Sequence, residues 1–168
     1  RIYTTMLLVR EELERAKRSK GPLPGCAEEL AELETSFDQA MADDVNSAAA
    51  LGHVFGVIRL ANRIMENKAG RKTQEAEAVF KRILEKLADW GQVLGLFDQD
   101  PAEFLASLKA IRLKRKNIDP DRVQGLVEQR TQAKKEKDFG RADAIRGELL
   151  DMGVEVRDTP QGAQWDVA

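Results

Sequence analysis

The side chains with the most chemical scope in this 168-residue sequence lie between 130 and 165, where cations, acids and two aromatics alternate. Arg130, Lys134, Lys137 and Arg141 step by four, three and four, the spacing of one helix face. On an unbroken helix they would form a cationic stripe able to meet phosphates. Asp138 predicts a new helix N-terminus that interrupts it. Phe139 and Trp165 are the aromatics of this stretch, and each is either a packing anchor or a platform on which an unstacked base can lie. Asp143 and Asp158 are unusual company for phosphate-binding cations, because a carboxylate repels a phosphodiester and accepts paired donors instead. The plain alternatives are a surface pair of Asp143 with Arg146 at i,i+3 and an ordinary turn acid at Asp158.

Elsewhere the sequence offers little chemistry. The single cysteine, Cys26, excludes an internal disulfide and argues against a cysteine-based zinc site. His53 is the only histidine, set among Leu51, Val54 and Phe55, which reads as packing or helix surface. No Ser/His/Asp set, glycine-rich phosphate loop or zinc-protease spacing occurs, so a self-contained catalytic centre is not expected. A third of the residues are charged, 42% are hydrophobic, and aromatics are limited to six Phe, two Trp and one Tyr, the balance of a solvated helical protein with an aliphatic core. No apolar run approaches the roughly 18 residues of a membrane span. A net charge of −2 fits a cytoplasmic protein and does not advertise nucleic-acid binding. The pattern opens mid-helix at Arg1, the expectation for a piece of something longer.

The elements that must position these residues follow from hydrophobic period. Ile2, Met6, Val9, Leu13 and Ala16 recur at helical spacing until Gly21-Pro22 and Pro24-Gly25 break the pattern. A second helix carries Leu30, Leu33, Phe37 and Met41, and a third, capped by Asn46 or Ser47, carries Leu51, Val54, Phe55, Ile58, Ala61, Ile64 and Met65. The fourth, from about Thr73, carries Phe80, Ile83, Leu84, Leu87 and Leu94 and stops near Gly95. Asp100-Pro101 starts another helix, which ends in the basic run Lys109 to Lys116. Helices from Pro120 and after Asp138 follow, Gly153 stops the last, and Val154 to Val167 reads as a hairpin turning at Asp158-Thr159-Pro160-Gln161-Gly162. The fold class is therefore mainly α: an antiparallel helical bundle over 1–107, a basic linker at 108–119, and a small α+β domain of two helices and a hairpin over 120–168.

Three blocks resemble the bacterial cysteinyl-tRNA synthetase family. Arg1-Ile2-Tyr3 is similar to the "RLY" that opens its post-catalytic bundle, and MADDVNSAAALGHVF, Met41 to Phe55, to its "MDDDFNTPEALAVLF". The tail from Arg130 to Trp165 resembles "R..AR.AKDFARAD.IRDEL...GI.LEDTPQGT.W". With LGLFDQDPAEFL, Leu94 to Leu105, the likeness touches every major element. The family's His-Ile-Gly-His and Lys-Met-Ser-Lys-Ser signatures and its cysteine-sensing zinc site have no counterpart here.

The resemblance implies a tRNA-binding C-terminal part of a cysteine–tRNA ligase, with ATP and zinc used in a catalytic domain upstream and no cofactor in these residues. The implied partner is the anticodon stem-loop of cysteine tRNA, anticodon GCA, with no membrane and a monomeric parent. Guanine presents two adjacent donors on its Watson–Crick edge, which one carboxylate can accept; by similarity Asp143, Asp158 and the residue at 134 belong to that reading set. The implied RNA-binding residues are Arg130, Lys134, Phe139, Asp143, Arg146, Asp158 and Trp165. Ser47-Ala48 stands where the family has Thr-Pro, Lys134 where arginine is usual, and Gly147 where an acid is common. The lysine trades a planar fork for a point charge. Two other readings are a helical protein-interaction module and part of a related ligase that joins cysteine to an amino sugar. The latter proteins lack the anticodon tail.

Overall fold

The computed structural model describes residues 1–14, 18–159 and 162–167. The stripe position Ala16 and the turn residues Pro160 and Gln161 lie outside them. Among the described residues seven α-helices precede one antiparallel hairpin, the mainly α fold that the periodicities predict. The chain divides into two compact units, Arg1–Phe104 and Leu105–Ala168. The division falls inside helix α5 (Pro101–Lys116), so the stretch expected as a linker from 108 stays helical as far as Lys116.

The first unit is built on α1 (Ile2–Leu13), α2 (Cys26–Ala42), α3 (Ser47–Glu66) and α4 (Gln74–Leu94), with a 3-10 turn at Gly70–Lys72. Its helix starts are chemically marked: the Asn46 side chain accepts from the Ala49 N–H at 3.1 Å, and Thr73 Oγ1 from the Ala76 N–H at 3.1 Å. Gly95, with φ of 66°, ends α4. Leu30, Phe37, Val54, Leu60, Ile64, Phe80, Ile83 and Leu87 fill the core, and Phe37 stacks on Trp90 with ring centroids 4.2 Å apart. Phe55, expected inside, is 46% exposed. Its neighbours Val54, Val57 and Ile58 take the inner face instead, because a 20-residue helix rich in Ala and Gly has a wider apolar sector than one core requires. Glu12 is buried in this unit and ion-pairs with Arg18 at 3.4 Å and Arg71 at 3.6 Å, so its charge is balanced where water is excluded.

The second unit contains the rest of α5, then α6 (Pro120–Lys135), α7 (Phe139–Asp151), β1 (Val154–Thr159) and β2 (Gly162–Val167). The Asp119 carboxylate accepts from the Asp121 N–H at 3.0 Å and Asp138 from the Arg141 N–H at 3.0 Å, so α6 and α7 are separate helices as the second acid predicts. Gly153, with φ of 76°, turns the chain into β1. The strand register pairs Val154 with Val167, Val156 with Trp165 and Asp158 with Ala163. These six alternate positions lie on one face of the hairpin. Val123, Val127, Ile145, Leu149 and Val154 form the buried core beneath it.

Candidate functional site

Along α6 the inner face runs Val123, Val127, Arg130 and Lys134, at intervals of four, three and four. The two valines meet the core, and the next positions on that face carry cations. Along β1 the inner face runs Val154, Val156 and Asp158. Apolar positions pair near one end of this α6–β1 layer, and cations meet an acid near the other. Arg130 Nη1 and Nη2 donate to Asp158 Oδ1 and Oδ2 at 2.9 and 3.0 Å, a parallel two-bond fork. Lys134 Nζ donates to the same Oδ2 at 2.7 Å.

The three groups differ in freedom. The Arg130 side chain is 7% exposed, against 41% for Lys134 and 52% for Asp158. Arg130 is thus not the solvent-facing phosphate contact that a cationic stripe suggests, since its guanidinium is buried and committed to a carboxylate. The hydrogen bond from Arg130, then that from Lys134, holds the Asp158 carboxyl well below the usual aspartate range. The same bond raises Arg130 above its ordinary value, with the charge of Asp143 adding to the effect. Asp158 is therefore an oriented acceptor that stays ionised across the neutral range, at an exposed edge.

A pH dependence follows from that depression. A carboxyl whose folded value lies below its unfolded one contributes fully above the unfolded value, about 3.9 for aspartate. The contribution fades as pH falls toward the folded value. The melting-temperature gap between the wild-type chain and Asp158→Asn should hold steady between about pH 5 and 7 and narrow below about pH 4. A gap unchanged down to about pH 2 would contradict the ion triad as the cause.

The remaining expected residues are placed differently. Phe139, the first residue of α7, is 63% exposed and does not anchor packing. Asp143 and Arg146 lie on the exposed side of α7, and among the described residues no ion pair joins them. Trp165 is half-buried, packed against the small core, and its indole N–H donates to Gln124 Oε1 at 3.1 Å. The Lys109 ammonium lies 3.4 Å from the indole centroid and donates to the Trp165 carbonyl at 2.7 Å. Arg112 Nη1 donates to the Val167 carbonyl at 3.0 Å. Burial lowers the Lys109 ammonium from its usual value, opposed by the charge of Asp166. Sequence reasoning missed both of these cations. Their i,i+3 spacing on a basic helix signals only a face, not the hairpin edge that the face meets.

The site thus offers a two-oxygen acceptor held by a guanidinium fork, with a half-exposed ammonium beside it; the exposed Phe139 ring lies at the start of α7. That set suits a planar ligand edge with two adjacent donors. Among the described residues, no group of three or more His, Cys, Asp or Glu is placed to hold a metal ion. Likewise, no described helix is long and apolar enough to cross a membrane.

Comparison with known proteins adds family relations to this geometry. Residues 36–98 match the DALR domain family, and residues 120–165 match the family described as the cysteinyl-tRNA ligase anticodon binding domain. The chain is 54% identical over 168 residues to the cysteine–tRNA ligase of Nitratidesulfovibrio vulgaris (strain Miyazaki F), covering 99% of this chain and 35% of that relative. It is 50% identical over 169 residues to the enzyme of the same description from Oleidesulfovibrio alaskensis, covering 100% of this chain and 35% of the relative. The figures for that of Solidesulfovibrio magneticus are 51% over 169 residues, with 100% and 35% covered. The chain therefore spans about a third of the length of the curated relatives it matches.

Proposed function

This chain belongs to the cysteine–tRNA ligase family and corresponds to the C-terminal part of its members, and on that footing we propose that its second unit reads the anticodon loop of cysteine tRNA. The first anticodon base, guanine, offers N1–H and N2–H side by side, and Asp158 accepts them. The observation that carries this reading is the Arg130–Asp158 fork, which keeps a carboxylate ionised, oriented and half-exposed at the hairpin. A surface intended only for phosphates would gain nothing from it. Phe139 supplies the stacking face, Asp143 adds negative potential near the same guanidinium, and Arg146 meets the backbone. Trp165 supports the hairpin from which Asp158 projects. The same proposal covers the whole protein: it joins cysteine to its tRNA in the cytoplasm as a monomer, using ATP and zinc in a catalytic domain.

Binding of a GCA anticodon stem-loop is the test, measured beside a loop whose first base is adenine. The guanine loop should bind more tightly to the wild-type chain, and Asp158→Asn should erase most of the difference. Phe139→Ala should weaken the guanine loop by about 5- to 150-fold, the worth of one stacked base, without lowering thermal stability. Equal affinity of the wild-type chain for both loops at moderate salt would reject base reading and leave electrostatics alone.

A further inference from the structure

The hydrogen-bonding capacity of Asp158 is nearly exhausted before any RNA arrives. An ionised carboxylate has about four acceptor sites, two on each oxygen. Arg130 takes one on Oδ1, while Arg130 and Lys134 together take both on Oδ2. One site on Oδ1 is left. A guanine edge docking its two donors in parallel needs one site on each oxygen, so one of the present donors must leave. Arg130 is held by two bonds and is buried to 7% exposure; detaching it would strand a charge away from water. Lys134 has a single bond to the site, 41% exposure and a flexible stem.

We propose that Lys134 is a specificity-determining exchange donor: it occupies Asp158 Oδ2 in the free protein and yields that site only to a base with two adjacent donors. The inference rests on the guanine reading proposed above. The released ammonium, now beside a polyanion, pairs with a phosphate oxygen. Guanine binding therefore recruits one phosphate contact that other bases do not. A base with one donor, such as hypoxanthine in inosine, fits the vacant site on Oδ1 and leaves Lys134 in place. Adenine presents a ring acceptor toward the carboxylate and also leaves it in place. Discrimination then has two parts, the second base–carboxylate hydrogen bond and the phosphate contact that its formation sets free.

The consequence is legible in salt dependence, since each single-strand phosphate contact adds about 0.7 to the slope of log K against log salt. The experiment measures binding of the 168-residue chain to stem-loops with guanine, inosine or adenine at the first anticodon position over a range of salt. Wild-type slopes should be steeper for guanine than for inosine by about 0.7, and in Lys134→Gln the guanine and inosine slopes should coincide. Lys134→Arg, which can refill Oδ2 and still reach a phosphate, should restore the difference. Guanine preference with equal wild-type slopes overturns the exchange and leaves the guanine reading standing, as does a slope difference that survives in Lys134→Gln. Equal affinity for all three loops overturns both.

Discussion

Replacing Leu149 with alanine is expected to unfold the hairpin unit at temperatures where the wild-type unit is intact. Leu149 is fully buried and sits in a small core with Val123, Val127, Ile145 and Val154. Truncating a buried leucine costs about 2–5 kcal/mol, the upper part of that range applying where the surroundings cannot collapse into the space. Here α6, α7 and β1 all contribute to the core, and two paired strands have no independent stability to fall back on. A unit of this size commands only a few kcal/mol in total, so one side chain accounts for most of it. The melting temperature of the unit should fall by about 10–30 °C, at roughly 4–8 °C for each kcal/mol. Fluorescence of Trp165 in a Trp90→Phe background follows the unit directly, because Trp165 packs on the same core. A shift of less than about 3 °C would mean that the hairpin is held chiefly by Lys109 and Arg112 rather than by the core.

Local chemistry made most of the scaffold legible in advance. Asn46, Asp100-Pro101, Asp119-Pro120 and Asp138 each mark a helix start through the orphan N–H groups they satisfy. Gly153 and the alternation of Val154 and Val156 announce the switch from helix to strand. Long-range partnership was not legible. Arg130 and Lys134 show a helical spacing that fits a solvated face as well as a buried one, and their partner lies 28 and 24 residues away on a strand. A finer signal was present: Arg130 and Lys134 continue the spacing of Val123 and Val127, so a reader who extends the core face of α6 arrives at them. Lys109 gave no such signal, since its indole partner is 56 residues downstream. Phe55 shows the opposite failure, for its neighbours Val54, Val57 and Ile58 claim the interior first.

Arg130→Ala should cost the second unit about 2–3 kcal/mol, less than the full 3–5 of a wholly buried pair because Asp158 is 52% exposed and water can resolvate it. Arg130→Lys should recover part of that loss, replacing a two-bond fork with a single ammonium contact. Arg130→Met keeps most of the stem volume on the inner face of α6 and separates packing from charge. If Met restores stability as fully as Lys, the side chain acts through its bulk alone. The sharper consequence concerns recognition. Without the fork, Asp158 remains charged but rotates freely, and Lys134 becomes its only strong partner. A carboxylate held at one oxygen by a lone ammonium can pivot about that bond and seldom presents both oxygens to the same base edge. Folded Arg130→Met should therefore retain salt-sensitive RNA binding through its remaining cations yet lose most of its preference for guanine over adenine. Undiminished preference in that variant would move base discrimination away from Asp158, with Asp143 on α7 the next carboxylate to test.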